Sequence, residues 1–204
     1  VFILFLEYTN PNTLGELNVK GTLLGSIFQS ITARTAGFNS IDLTLMREST
    51  LFLMIMLMFV GASPASTGGG IKTTTIATLI LSVRALILEK EDVEIYDRRL
   101  ANGVVRKSLG IFMIGVCVVV LGTFIISITE PQFTLLESGF EVVSAFATVG
   151  LSIGGSPTLS MPGKIFIILF MFMGRVGSLT IFMALMSRVK KKSLIRYPEE
   201  KLLQ

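Results

Sequence analysis

Hydrophobic residues in this chain gather in runs rather than at every third or fourth position, and the length of each run limits what it can be. Val1 to Leu6 is apolar but too short to cross a bilayer. It predicts the tail of a helix that starts upstream, ending within residues 1–10, and a chain that is a piece of a longer protein. Thr9-Asn-Pro-Asn12 and Gly15-Glu16 then read as a polar loop. Gly21 to Thr32 is compatible with a helix, but at roughly 1.5 Å per residue it reaches about 18 Å, short of a hydrocarbon core of ~30 Å. It predicts a helix that dips into the membrane and stops at the Thr35-Ala-Gly37 turn.

Leu51 to Leu88 has the opposite problem, because one straight helix of that length would measure roughly 57 Å. It must be broken, and the break is legible as Gly61-Ala-Ser-Pro-Ala-Ser-Thr-Gly-Gly-Gly70, where Pro removes a backbone donor and consecutive Gly favour non-helical backbone. Leu51 to Phe59 enters before the break and Ile76 to Leu88 leaves after it. Irregular backbone at membrane depth survives only where protein or a water-filled cavity satisfies it, so the break marks a pathway. Glu89 to Lys107 is of mixed charge and predicts a solvent-facing helix or linker, and Leu109 to Ile128 a clean spanning helix closed by Glu130-Pro131. Phe133 to Ala147 is a second short helix, with Glu137 near its start, where the helix dipole favours an acid. Met161-Pro-Gly163 opens the last spanning segment, Ile165 to Met186, with Arg175 near its centre.

The two short helices belong to two copies of one unit. Ser144-Ala-Phe-Ala-Thr-Val-Gly-Leu-Ser152 has its counterpart in Ser30-Ile-Thr-Ala-Arg-Thr-Ala-Gly-Phe38, and one ungapped shift lays Thr35 on Thr148 and Gly37 on Gly150. The same shift lays Leu57-Met-Phe-Val-Gly61 on Phe170-Met-Phe-Met-Gly174.

Composition narrows the chemistry. Of 204 residues, 51% are hydrophobic and 16% charged, so the bilayer is the expected solvent. There is no His and one Cys, which excludes His-ligated metals, His acid-base chemistry and internal disulfides and leaves Cys117 as a packing residue. Arg84, Lys90, Arg98, Arg99, Arg106, Lys107, Arg188, Lys190, Lys191, Lys192, Arg196 and Lys201 fall on one face, twelve of the eighteen basic residues. Positive-inside reasoning makes that face cytoplasmic, with the linker and the C-terminus. The other face holds Glu7, Glu16, Asp42, Glu48, Glu130, Glu137 and Glu141 against Lys20, Arg47 and Lys164, a surplus that would concentrate cations.

Both short helices aim their C-terminal ends, the negative ends of their dipoles, at the Thr-x-Gly turns. Gly37 and Gly150 permit positive φ, which turns successive carbonyls towards one axis, and rings of such carbonyls replace the hydration shell of K⁺ in selectivity filters. A plainer reading of the same glycines is helix capping in two re-entrant hairpins. Arg175 would be costly unpaired at mid-membrane and should face protein or water. Arg34 is expected to point away from the turn and brace the loop, towards a carboxylate such as Glu141. Gly68-Gly-Gly-Ile-Lys72-Thr73 is not a phosphate loop, since Gly and Lys are not adjacent and apolar segments flank it. Lys72 is expected at the cytoplasmic end of the loop, and Met54, Met56, Met58, Met171 and Met173 in packing or facing lipid. Nothing points to nucleic acid or an organic cofactor. An intramembrane enzyme would want His or paired Asp in the spans, and a proton-driven carrier an embedded acid. A Na⁺-coupled secondary carrier with an occluded midplane site stays open beside a pore.

Ile31-Thr-Ala-Arg-Thr-Ala-Gly-Phe-Asn39, Gly61 to Thr73, Ala147-Thr-Val-Gly-Leu151 and Met173-Gly-Arg-Val-Gly177 together resemble the third and fourth repeats of the Trk/Ktr/HKT superfamily of potassium transporters, most closely the membrane subunits of bacterial Ktr systems. The resemblance covers nearly the whole chain. It implies an all-α integral membrane protein of the plasma membrane, built as two helix–pore loop–helix repeats of a four-repeat, K⁺-channel-like pore. Residues 11–88 would be the third repeat, 89–107 a cytoplasmic linker, 108–187 the fourth repeat and 188–204 a cytoplasmic tail, with two more Thr-x-Gly repeats upstream. The implied filter is Thr35, Ala36, Gly37 and Phe38 with Thr148, Val149, Gly150 and Leu151. Both turns lack the second Gly of a potassium channel's Thr-Val-Gly-Tyr-Gly, so Na⁺ is expected to enter as well. The implied gate is the loop Gly61, Ala62, Ser63, Pro64, Ala65, Ser66, Thr67, Gly68, Gly69, Gly70 and Lys72, latched by Arg175. The implied partners are a second complete membrane subunit, a cytosolic RCK-type nucleotide-binding ring and membrane lipid.

Overall fold

The computed structural model describes residues 2–64, 66, 68–90, 92–95 and 98–176. The last spanning segment beyond Val176, the Arg188–Lys192 cluster, the 188–204 tail, and Ala65 and Thr67 of the implied gate lie outside the described residues. The helices are α1 (Phe2–Glu7), α2 (Val19–Thr32), α3 (Glu48–Phe59), α4 (Thr73–Ile87), α5 (Asn102–Thr129), α6 (Leu135–Phe146), α7 (Gly155–Thr158) and α8 (Met161–Val176).

The lengths follow the sequence pattern. α2 and α6, of 14 and 12 residues, reach only about 21 and 18 Å at ~1.5 Å per residue. Asn18 starts α2 by accepting from Gly21 N at 2.8 Å, and a reciprocal capping box between Thr134 and Glu137 starts α6. α3 and α4 are the two halves of the broken segment. α5, of 28 residues, is the one helix among the described residues long and apolar enough to cross a membrane. It begins at Asn102, inside the stretch expected to be linker, and the rest of that stretch forms a minimal hairpin. There β1 (Glu94–Ile95) runs antiparallel to β2 (Arg98–Arg99), with Lys90–Glu94 and Asp92–Arg99 ion pairs at 3.0 and 2.8 Å. Cross-strand Glu94 and Arg99 are of opposite charge, and β-branched Val93 and Ile95 favour extended backbone.

α6 is the hub, packed on α3, α5 and α8. One apolar cluster joins Met54 and Met58 of α3 to Phe140, Val143 and Ala147, and another joins Ile126 of α5 and Phe170 of α8 to Val142 and Ala145. α2 is the reverse of a soluble amphipathic helix: its buried residues are Thr22, Ser26, Gln29 and Thr32, while Leu23, Leu24, Ile27, Phe28 and Ile31 are exposed. Cys117 is exposed on α5 rather than packed, because the surrounding run is apolar on all sides and buries only a narrow stripe. Met54 and Met58 are buried and Met56 and Met171 exposed.

Three of the acids assigned to an open acidic face are instead buried. Glu7, at the end of α1, accepts from Asn10 Nδ2 and Thr13 Oγ1, both at 2.7 Å, from Arg47 N at 3.0 Å and from Thr50 Oγ1. Glu130, just past α5, accepts from Gln132 Nε2 at 2.7 Å, Ser160 N at 2.9 Å and Ser160 Oγ. Glu7 thus ties the end of α1 to the start of α3 and Glu130 the end of α5 to the start of α8, and Gly163 is bare because a methyl there would overlap the Glu130 carboxylate. Glu141 is the third buried acid.

Burial pushes the Glu130 carboxyl up, but the Ser160 hydroxyl, the Gln132 amide, the Ser160 N–H and the Lys164 charge together hold it below its ordinary 4.5. Its stabilising contribution is therefore full above 4.5 and is lost as acid takes the pH down through the lowered value. Glu130→Ala strands the Ser160 donors and should cost about 1–3 kcal/mol, read as a lower melting temperature in detergent at neutral pH, with the gap to the wild type closing in acid. An equal gap at both pH values would refute the anchor.

Candidate functional site

Each short helix ends in a turn of alternating handedness. φ is +73° at Thr35 and +73° at Gly37, then +53° at Thr148 and +91° at Gly150, with Ala36 and Val149 on the ordinary side between them. Glycine adopts such values freely, whereas β-branched Thr does so only under constraint from its surroundings. Part of that constraint is a hydroxyl on the last helical turn. Thr32 Oγ1 donates to Phe38 O at 2.7 Å and accepts from Phe38 N at 2.9 Å. Ser144 Oγ donates to Leu151 O at 2.6 Å.

The two turns meet. A methyl on Gly37 would overlap the Val149 carbonyl oxygen and come within 3.6 Å of Gly150 Cα. Ala36 and Phe38 are exposed, whereas Val149 and Leu151 are buried. Arg34 is exposed, and its side chain makes no hydrogen bond or ion pair among the described residues. Glu141 does not bond it and accepts instead from Ser152 Oγ at 2.5 Å and Ile153 N at 3.0 Å.

The loop between α3 and α4 lies directly against both turns. A Cβ on Gly68 would stand 2.7 Å from Thr35 Cγ2, and one on Gly69 2.9 Å from Thr148 Oγ1. Gly69 N donates to that same Thr148 hydroxyl at 2.8 Å. The loop is tied at its base by Ile71 N to Phe59 O at 3.3 Å and by Gly70 in the left-handed region. Lys72 Nζ donates to Gly68 O at 2.7 Å and Ser66 O at 3.1 Å, so it folds back into the loop. Arg175 is exposed in the last turn of α8, and its side chain makes no hydrogen bond or ion pair among the described residues. It lines a cavity of about 460 Å³ together with Glu141, Ser144, Thr148 and Gly150. α8 approaches so closely that a methyl on Gly174 would overlap Phe146 O. Among the described residues, Lys72 is the cation bonded to the loop's carbonyls.

The straps escaped the sequence pattern. The shift that matches the turns sets Thr32 against Ala145 and Ser144 against Ile31, hiding two hydroxyls that do the same work. Among the described residues no group of three or more His, Cys, Asp or Glu could hold a metal ion.

The family described as TrkH, cation transport protein, matches residues 1–196. The chain belongs to that family. This TrkH-family chain is 43% identical over 197 residues to the Ktr system potassium uptake protein B of Bacillus subtilis, covering 97% of this chain and 44% of that protein. It is 38% identical over 210 residues to the potassium/sodium uptake protein NtpJ of Enterococcus hirae, covering 99% and 46%. The fold is that of the potassium transporter TrkH of Vibrio parahaemolyticus, with a TM-score of 0.71 at 20% identity over 93% of this chain and 41% of that one. The chain thus spans less than half the length of the curated relatives it matches. Membership of a cation transport family sets the helices in a membrane.

Proposed function

We propose that this chain supplies two of the four repeats of a K⁺-uptake pore, with Thr35–Phe38 and Thr148–Leu151 as half of its selectivity filter and the 61–72 loop as its gate. The observation that carries the reading is the contact between two strained, alternately handed turns with a Gly-rich loop set against the Thr of each. Alternating φ presents several carbonyls to one space, and the negative ends of α2 and α6 favour a cation there. The names of the relatives support K⁺ as cargo, and NtpJ's supports entry of Na⁺ through turns that lack a second Gly. With no tie to the loop, Arg175 is positioned to latch it only in another state of the gate. The complete subunit is proposed to pair with a second copy and to sit on a cytosolic RCK-type ring, facing it with the basic 84–107 side.

The test is flux through the complete subunit in proteoliposomes. K⁺ flux that keeps rising with driving force is expected. Saturating, obligatory exchange with Na⁺ would refute the pore and favour a secondary carrier.

A further inference from the structure

Resting on the filter reading above, we infer that Glu141 is a positioning residue for ion selection: from the buried side of α6 it fixes the segment that leaves the second Thr-x-Gly turn. The residue in the same register of α2, Gln29, gives the first turn no such brace.

The register comes from the two strap hydroxyls. The shift that lays Thr32 on Ser144 is one residue shorter than the one that matches the turns, since Thr32 bonds six residues ahead and Ser144 seven. It also lays Ser26 on Ser138 and Gln29 on Glu141. Both helices therefore bury a polar stripe at helical spacing, which turns inward the groups that a helix in lipid would otherwise have to satisfy.

The stripes end differently. Glu141 is 4% exposed, and a carboxylate so buried requires donors. It takes them from Ser152 Oγ and Ile153 N, the two residues after Leu151. The exit of the second turn is thus gripped at three successive residues, with Ser144 on the Leu151 carbonyl, and Leu151 is buried. Gln29 is also fully buried, yet neither its amide nitrogen nor its oxygen has a partner among the described residues. Among the described residues Phe38 is hydrogen-bonded by Thr32 alone, and it is 72% exposed. Whether carbonyls select K⁺ by cavity size or by the number of dipoles presented, they must keep their places around the ion. The corner held from behind by Glu141 can do so.

The experiment uses the complete subunit in proteoliposomes and reads the ratio of K⁺ to Na⁺ flux. Glu141→Ala should lower that ratio by about fivefold, the worth of one or two lost hydrogen bonds, whereas Glu141→Gln, whose carbonyl still accepts, should stay within about twofold of the wild type. Ser152→Ala should lower it too, and adding Glu141→Ala to Ser152→Ala should cost less than the two singles combined, because they act through one contact. Gln29→Ala should leave the ratio within about twofold. An unchanged ratio in Ser152→Ala and in correctly assembled Glu141→Ala, or an equal loss in Gln29→Ala, would overturn the inference. Should Glu141→Ala fail to assemble, Ser152→Ala decides alone. Wild-type vesicles without K⁺ flux would instead overturn the pore reading on which it rests.

Discussion

Gly37→Ala should abolish most K⁺ uptake while leaving the complete subunit in the membrane. Two costs coincide at this position. An L-residue held at φ +73° is strained by roughly 1–2 kcal/mol. The added methyl would also fall on the Val149 carbonyl oxygen, which is backbone of the other turn and cannot rotate aside as a side chain would. Relief requires the turns to separate, and with them the space their carbonyls share. A loss of tenfold or more in uptake, equivalent to about 1.4 kcal/mol, is expected in cells lacking other K⁺ uptake systems. Gly150→Ala is the control for strain alone, since its methyl would meet only Gly37 Cα at 4.0 Å, and it should be the milder of the two. Equal loss in both, or uptake undiminished in Gly37→Ala, would remove the contact between turns from any account of conduction.

Deleting residues 65–69 should have the largest effect of opposite sign. The deletion takes away Gly69 N, which bonds Thr148, and the carbonyls of Ser66 and Gly68 to which Lys72 is tied, but touches none of the apolar contacts between α3 and α6. If the loop obstructs the path beneath the turns, flux should rise several-fold and persist without the cytosolic partner, because the bistable element that a partner would bias is gone. The measurement is rubidium uptake in cells with and without that partner. Flux that still depends wholly on the partner would show that control lies elsewhere.

Much of this architecture was legible from run lengths. Twelve to fourteen residues are too few for a hydrocarbon core and a segment from Leu51 to Leu88 is too many, and α2, α6 and the break between α3 and α4 follow from those two mismatches. The turns announced themselves through Gly37 and Gly150, whose type is tied to positive φ. That Thr35 and Thr148 share that geometry was invisible, because a β-branched residue gives no such signal and is forced there by its neighbours. The burial of the acids was hidden for a related reason: Glu7 and Glu130 sit at helix ends beside polar sequence, and only the folded chain brings Thr50 and Ser160 to them. Lys72, at the end of the loop, turns a flexible stem back on Gly68, a contact that its place in the chain does not announce.

The shape of the two corners is written in main-chain torsions and in two strapping hydroxyls, with the Glu141 carboxylate bracing the second from behind. Exposed Ala36 and Phe38 can therefore change bulk and polarity while the backbone keeps its course. Substitution cannot alter chirality, so each corner demands residues able to turn the left-handed way, whatever stands between them.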